Sequence, residues 1–261
     1  MQSGLKFNFL VGLFGSLIFL IINKFKIEIT LYSSILAIVM TIFAIVYIII
    51  SFKILAEGKT AYYTLFRMTG AMLVPYEWGI FVLNEEVSLL RILGMILIIA
   101  SIFLINAGKN KLSVKNTVMC ISVFFLAGFV SVISKQHAIS EQAISPVGYV
   151  IITSLVKVIL CGVLLVLMKE KRGYHNEKHT VKHSSSLCYG LCFASAFSIG
   201  MAYMIQLICA KNMPATILYP VITGGTIIFS AIFARLFFKE KLPKKGIAAI
   251  IICFIGTALY I

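Results

Sequence analysis

Three charged side chains stand inside long apolar stretches of this 261-residue chain, and each demands a chemical reason. A charge at membrane depth costs about 2.5–3.5 kcal/mol even on a lenient insertion scale. Lys157 lies eleven residues after Pro146 and twelve before Lys169, near the middle of its apolar run and too deep for easy snorkelling. Arg67 and Glu77 share the run from 60 to 83, each about 10 Å deep at 1.5 Å per residue. Facing a water-filled cavity, Lys157 and Arg67 would bind an anionic group of a solute, with Glu77 as counter-ion or proton carrier. Otherwise Glu77 pairs with Lys157 or Arg67 to fix the helices, or a carbonyl absorbs the lysine. Arg235, four residues before Lys239, reaches the interface by snorkelling and reads as structural.

A polar face accompanies these charges. Thr216, Tyr219, Thr223, Thr226 and Ser230 recur at spacings of 3, 4, 3 and 4, which is one continuous side of a helix. Gly224 and Gly225 permit close approach, and Pro220 frees a backbone carbonyl that a neighbour, a water or a ligand must satisfy. This face is either a wall of a solute cavity or a packing seam. Ser195, Ser198 and Gln206 give a fainter stripe, and Trp78 suits a membrane interface or a ligand platform.

Other reactive residue types point to structure. Glu85 and Glu240 each sit at a tight turn before a helix start, where the helix dipole favours a carboxylate. His175, His179 and His183 share a spacing of 4 but lie in a lysine-rich stretch without a partnering carboxylate, which reads as a basic loop near anionic lipid rather than a metal site. His137 is expected to be a lone loop residue. The six cysteines fall in or at the edge of apolar runs without a CxxC pair and read as small buried hydrophobes. No aspartate occurs, so Ser-His-Asp triads and Asp-rich metal motifs are excluded. No catalytic residue, metal site or cofactor is expected.

The elements that must hold these residues follow from composition. Apolar residues make up 61% and charged ones 12%, against about 25% charged in a soluble domain, and mean hydropathy is +1.04. Spans are predicted at 8–23, 29–52, 60–83, 88–107, 116–135, 146–168, 184–210, 214–238 and 244–261, giving an all-α integral membrane protein of about nine transmembrane helices. The net charge of +14 sits mostly in short loops and so reports membrane topology rather than nucleic-acid binding. Summed by side, fifteen lysines and arginines fall on one face and five on the other, Lys24, Lys26, Arg91, Lys135 and Lys211. This predicts a cytoplasmic N-terminus and, with nine spans, an external C-terminus in a multi-pass cell-membrane protein.

Shifting the chain by 155 residues lays Gly58–Asn106 over Met213–Ile261, matching Gly70 with Gly225, Glu85 with Glu240, Ile92 with Ile247, Ile96 with Ile251 and Leu104 with Leu259. Both segments run as a polar-studded helix, a charged turn opening with Glu, and a uniformly apolar helix. The expected organisation is a first repeat at 1–108, a linker at 109–115 and a second repeat of five helices at 116–261. The first repeat has four helices and lacks an equivalent of 116–135. Odd-numbered repeats insert upside down to each other, as inverted-topology repeats do.

With these features in place, the chain resembles the EamA-type branch of the drug/metabolite transporter superfamily, whose members typically have ten helices in two five-helix repeats. The run Asn84-Glu85-Glu86-Val87-Ser88-Leu89-Leu90-Arg91-Ile92-Leu93-Gly94 is similar to the family's turn at the end of each repeat, and Lys239-Glu240-Lys241-Leu242-Pro243 with Gly256 looks like a second copy. The first helix of the family pattern is absent. The family commonly keeps both termini in the cytoplasm, whereas the loop charges place this C-terminus outside. The resemblance implies a secondary transporter moving a small metabolite or drug-like solute by alternating access, with the helix from 214 to 238 and its mate from 60 to 83 along the pathway. A lipid-linked flippase subunit and a non-cycling remnant are the alternatives. A membrane enzyme fits least, since no HExxH or GxSxG arrangement is present, and no nucleotide-binding P-loop supports ATP-driven transport.

Overall fold

The computed structural model describes residues 2–106, 113–170, 185–237 and 244–260. Among them are nine helices, α1 Gln2–Ile22, α2 Leu31–Ala56, α3 Thr60–Phe81, α4 Leu89–Asn106, α5 Val114–Ile139, α6 Pro146–Glu170, α7 Ser185–Asn212, α8 Ala215–Phe237 and α9 Lys244–Ala258, and no strand. Apolar runs of this length fold this way because hydrocarbon offers no partner for a backbone N–H or C=O. Buried hydroxyls obey the same constraint by donating back along their own helix, as Thr41 does to Ala37 O at 2.7 Å and Thr69 to Leu65 O at 2.7 Å.

The sequence predicts about nine spans; among the described residues six helices are long and apolar enough to cross a membrane, α1, α2, α5, α6, α7 and α8. The apolar parts of α4 and α9, Leu89–Leu104 and Lys245–Ala258, are shorter. At 1.5 Å per residue the 15-residue α9 reaches about 22 Å, short of the roughly 30 Å of hydrocarbon. α3 is diluted by Arg67, Pro75 and Glu77.

The helices form two compact units, and the division falls within α2 and α5. The first unit, Met1–Ile45 with Gln136–Lys211, is built on α1 against α6. A Cβ on Gly12 would stand 3.0 Å from Val158 Cγ2 and 3.2 Å from the Ser154 carbonyl, so the two helices approach to backbone contact there. On α7, Gly200 leaves room for the fully buried ring of Phe19. The Glu28 carboxylate accepts from the Ser145 amide at 2.8 Å just ahead of α6, and that bond, with the Ser145 hydroxyl and nearby Lys26, holds its carboxyl below the usual range.

The second unit, Val46–Lys135 with Asn212–Ile261, packs α3 on α8, α4 on α9, and α8 on α9, around a core that includes Leu65, Met72, Ile98, Ile102, Ile227 and Cys253. Glycine faces glycine at two crossings. Gly94 and Gly256 meet where α4 crosses α9, and Gly70 and Gly128 meet where α3 crosses α5. Gly225, matched with Gly70 by the sequence shift, has nothing within 4 Å of an added Cβ.

Candidate functional site

In the second unit the polar residues converge on the start of α8. Its first amides have no intrahelical acceptor, and the partner comes from the far side of the sequence. Beyond the end of α3 the chain turns at Asn84, which adopts a left-handed φ of 53°, and the Glu85 amide returns to Gly79 O at 2.9 Å. This turn aims the Glu85 carboxylate at α8, where it accepts from the amides of Ala215 at 2.7 Å and Thr216 at 2.8 Å and from Thr216 Oγ1 at 2.9 Å. Gly79 is required there, since a Cβ would lie 2.6 Å from Glu85 Oε2. Glu85 is thus a helix-start carboxylate as expected, but it caps α8 rather than α4, the helix it immediately precedes.

Two further ties hold the same end of α8. Lys135 Nζ donates to Met213 O at 2.7 Å, and Lys135 also feels the charge of Glu85. The Tyr219 hydroxyl donates to Ser131 O at 2.6 Å. The sequence reading puts Lys135 with the loop charges, whereas it lies four residues inside the end of α5 and is 4% exposed. A buried ammonium is tolerated only where carbonyls and an opposite charge replace its water, and both are present.

The predicted polar face of α8 divides along its length. Thr216, Tyr219 and Thr223 are buried, while Thr226 and Ser230 are exposed and donate to their own helix at Ile222 O and Ile227 O. Those two oxygens retain lone pairs for a ligand. Arg67 and Glu77 on α3 are both exposed. Trp78 is half-buried with an indole N–H that lacks a hydrogen-bond partner. The side chain of Arg235, Glu240 and the three histidines at 175, 179 and 183 lie outside what is described.

Lys157 belongs to the first unit, on α6, and is half-buried. A second polar group of that unit was not foreseen. His137 is no loop residue: it sits in the last turn of α5, 1% exposed, with its ring stacked on Tyr149 at a centroid distance of 3.6 Å. Its Nε2 is 3.1 Å from Ser33 Oγ, and its Nδ1, like the Tyr149 hydroxyl, is buried without a partner. All six cysteines are free thiols, and Cys188 is exposed rather than buried. No cluster of three metal-ligating side chains occurs among the described residues.

The model of the EamA-like transporter family matches residues 115–261, more than half of the chain and nearly the whole of α5 to α9. The chain belongs to the EamA-like transporter family. No curated protein matches it. In this EamA-like protein the matched part supplies Lys135, Tyr219 and the amides of α8, while Glu85 comes from the part before the match.

Proposed function

We propose that the protein is a secondary transporter that carries a small metabolite or drug-like solute across the cytoplasmic membrane by alternating access between two inverted repeats. Membership of a transporter family supports the general reading, and one observation carries the finer one. The closest helix pairs are α1 with α6, α3 with α8 and α4 with α9, each five elements apart. That is the pairing two repeats give about a pseudo-two-fold axis when the first, at 1–108, lacks the counterpart of α5.

In this reading Glu85, Lys135 and Tyr219 hold one end of α8, and the exposed half of its polar face, Thr226 and Ser230, lines the solute path with Tyr219 and Thr223. Arg67 and Glu77 face water, because exposure to lipid would cost each about 2.5–3.5 kcal/mol. Within the first unit, Lys157 offers its ammonium to an anionic group of a solute. Loop charges place the N-terminus in the cytoplasm and the C-terminus outside.

The test replaces Lys157, Glu77 and Thr226 singly by cysteine in a cysteine-free background and applies a membrane-impermeant thiol reagent from each side. Labelling at each position is expected. Absence of labelling at all of them in an inserted protein would leave a dry bundle and overturn the proposal.

A further inference from the structure

α5 has no counterpart in the pairing of helices. α1 packs on α6, α3 on α8 and α4 on α9, and α2 touches α7 where the Tyr203 hydroxyl meets Met40 Sδ at 3.2 Å. Each pair is five elements apart, which leaves α5 unmatched. What α5 covers can be followed to its mate by the sequence shift of 155. The register of that shift recurs in the packing, since Met72 with its mate Ile227 and Ile98 with its mate Cys253 are all buried in one core. α5 lies on α3 at Gly70, where a side chain would strike the Phe124 carbonyl, and at Val74, which a side chain on Gly128 would strike. These contacts advance together along both helices, so α5 runs parallel to α3. The mates of the two covered positions on α8 are Gly225, where an added Cβ meets nothing, and Phe229, which is 61% exposed. The place that α5 takes on α3 is open on α8.

The same boundary runs along α8 itself. Leu218, Ile222, Gly225, Phe229, Ile232 and Leu236 recur at spacings of 4, 3, 4, 3 and 4, one line down the helix. This line begins under cover at the buried Leu218 and is open from Ile222 onward, so the open stretch continues an existing interface. Thr226 and Ser230 lie on the adjoining side, and a helix set on the line would part them from lipid.

Three requirements define that helix: an apolar surface, a direction parallel to α8, and a small residue opposite Gly225. In lipid, helices associate through close packing, which small residues permit. The α8 of a second copy inserted the same way meets all three, with Gly225 facing Gly225 about a two-fold axis along the membrane normal. Such a contact is self-complementary and closes at two chains.

We propose that a second copy of this chain covers the open line of α8 with its own α8, each copy supplying the helix that the other's first repeat lacks. The role of this helix in walling the solute path rests on the transport reading above, whereas the pairing is measured without it.

The test uses the full chain with its six cysteines replaced, reconstituted in lipid vesicles at low protein density. Gly225→Cys and Phe229→Cys are introduced singly, with Phe103→Cys at an exposed position of α4 as the control for random collision. Oxidation should join the first two variants into dimers about tenfold faster than the third. Fluorophore-labelled chains should bleach in two steps, and Gly225→Leu should weaken pairing about tenfold or more. A side chain at 225 meets nothing in its own chain, so in nanodiscs holding one chain Gly225→Leu should keep the wild-type thermal midpoint. Single-step bleaching, equal oxidation rates at the three positions, or pairing indifferent to Gly225→Leu would overturn the proposal, whether lipid or another protein's helix then covers the line. Pairing along the line without solute uptake would leave the interface standing and count against the transport reading, whereas uptake by single chains would do the reverse.

Discussion

At the scale of single residues, two carboxylates do structural work that local sequence does not display. Glu85 gives two backbone amides and a hydroxyl of α8 a charged acceptor. Its replacement by Gln should lower stability by about 1–3 kcal/mol, read as a fall in the unfolding midpoint in nanodiscs. Glu28 behaves differently with pH. Its carboxyl is held low by the Ser145 amide, so its contribution is complete above the unfolded carboxylate pKa and is lost as pH falls through its own lowered value. Wild type should therefore exceed Glu28→Gln by a constant margin from neutrality to about pH 5, and the margin should close only below about pH 4. Unfolding midpoints of both proteins across that range check the sign. His137 shows why such residues escape a reading from sequence. Hydropathy places it past the end of a span, and nothing local reveals a serine 104 positions away as its partner.

Among elements, glycine positions separate packed crossings from open faces. An added side chain at Gly70 would strike the backbone of Phe124, whereas at Gly225 it meets nothing. Gly70→Leu should destabilise by about 1–3 kcal/mol or prevent folding, and Gly225→Leu should be nearly neutral. Comparing the two by size-exclusion profile and thermal midpoint tests the packing directly. The helices themselves were legible in the sequence, because a run of some twenty apolar residues averages over local ambiguity. α5 was less so at its end, since Lys135 and His137 look like loop residues until the buried carbonyl and hydroxyl that receive them are seen. The capping role of Glu85 was half legible: its place at a helix start followed from the turn, but its target 130 residues on depends on α3 lying against α8.

For the molecule as a whole, the proposed orientation, with the C-terminus outside, rests on the charges of the loops. A phosphatase fused to Ile261, active only outside the cytoplasm, should be active in intact cells, and a fluorescent protein in its place should stay dark. The pairing of α1 with α6, α3 with α8 and α4 with α9 also sets a timetable for synthesis. No principal partner of an early helix exists until the ribosome is well into the second half of the message. α3, with its arginine, glutamate and proline, is poorly suited to wait alone in lipid, and α8 begins 134 residues after α3 ends. At about 5–20 residues per second that is a delay of roughly 7–27 seconds. Through that interval α3 has only α4 and its crossing with α5 at Gly70 and Gly128 to shield it, so the burden of assembling this protein falls on its nascent first half.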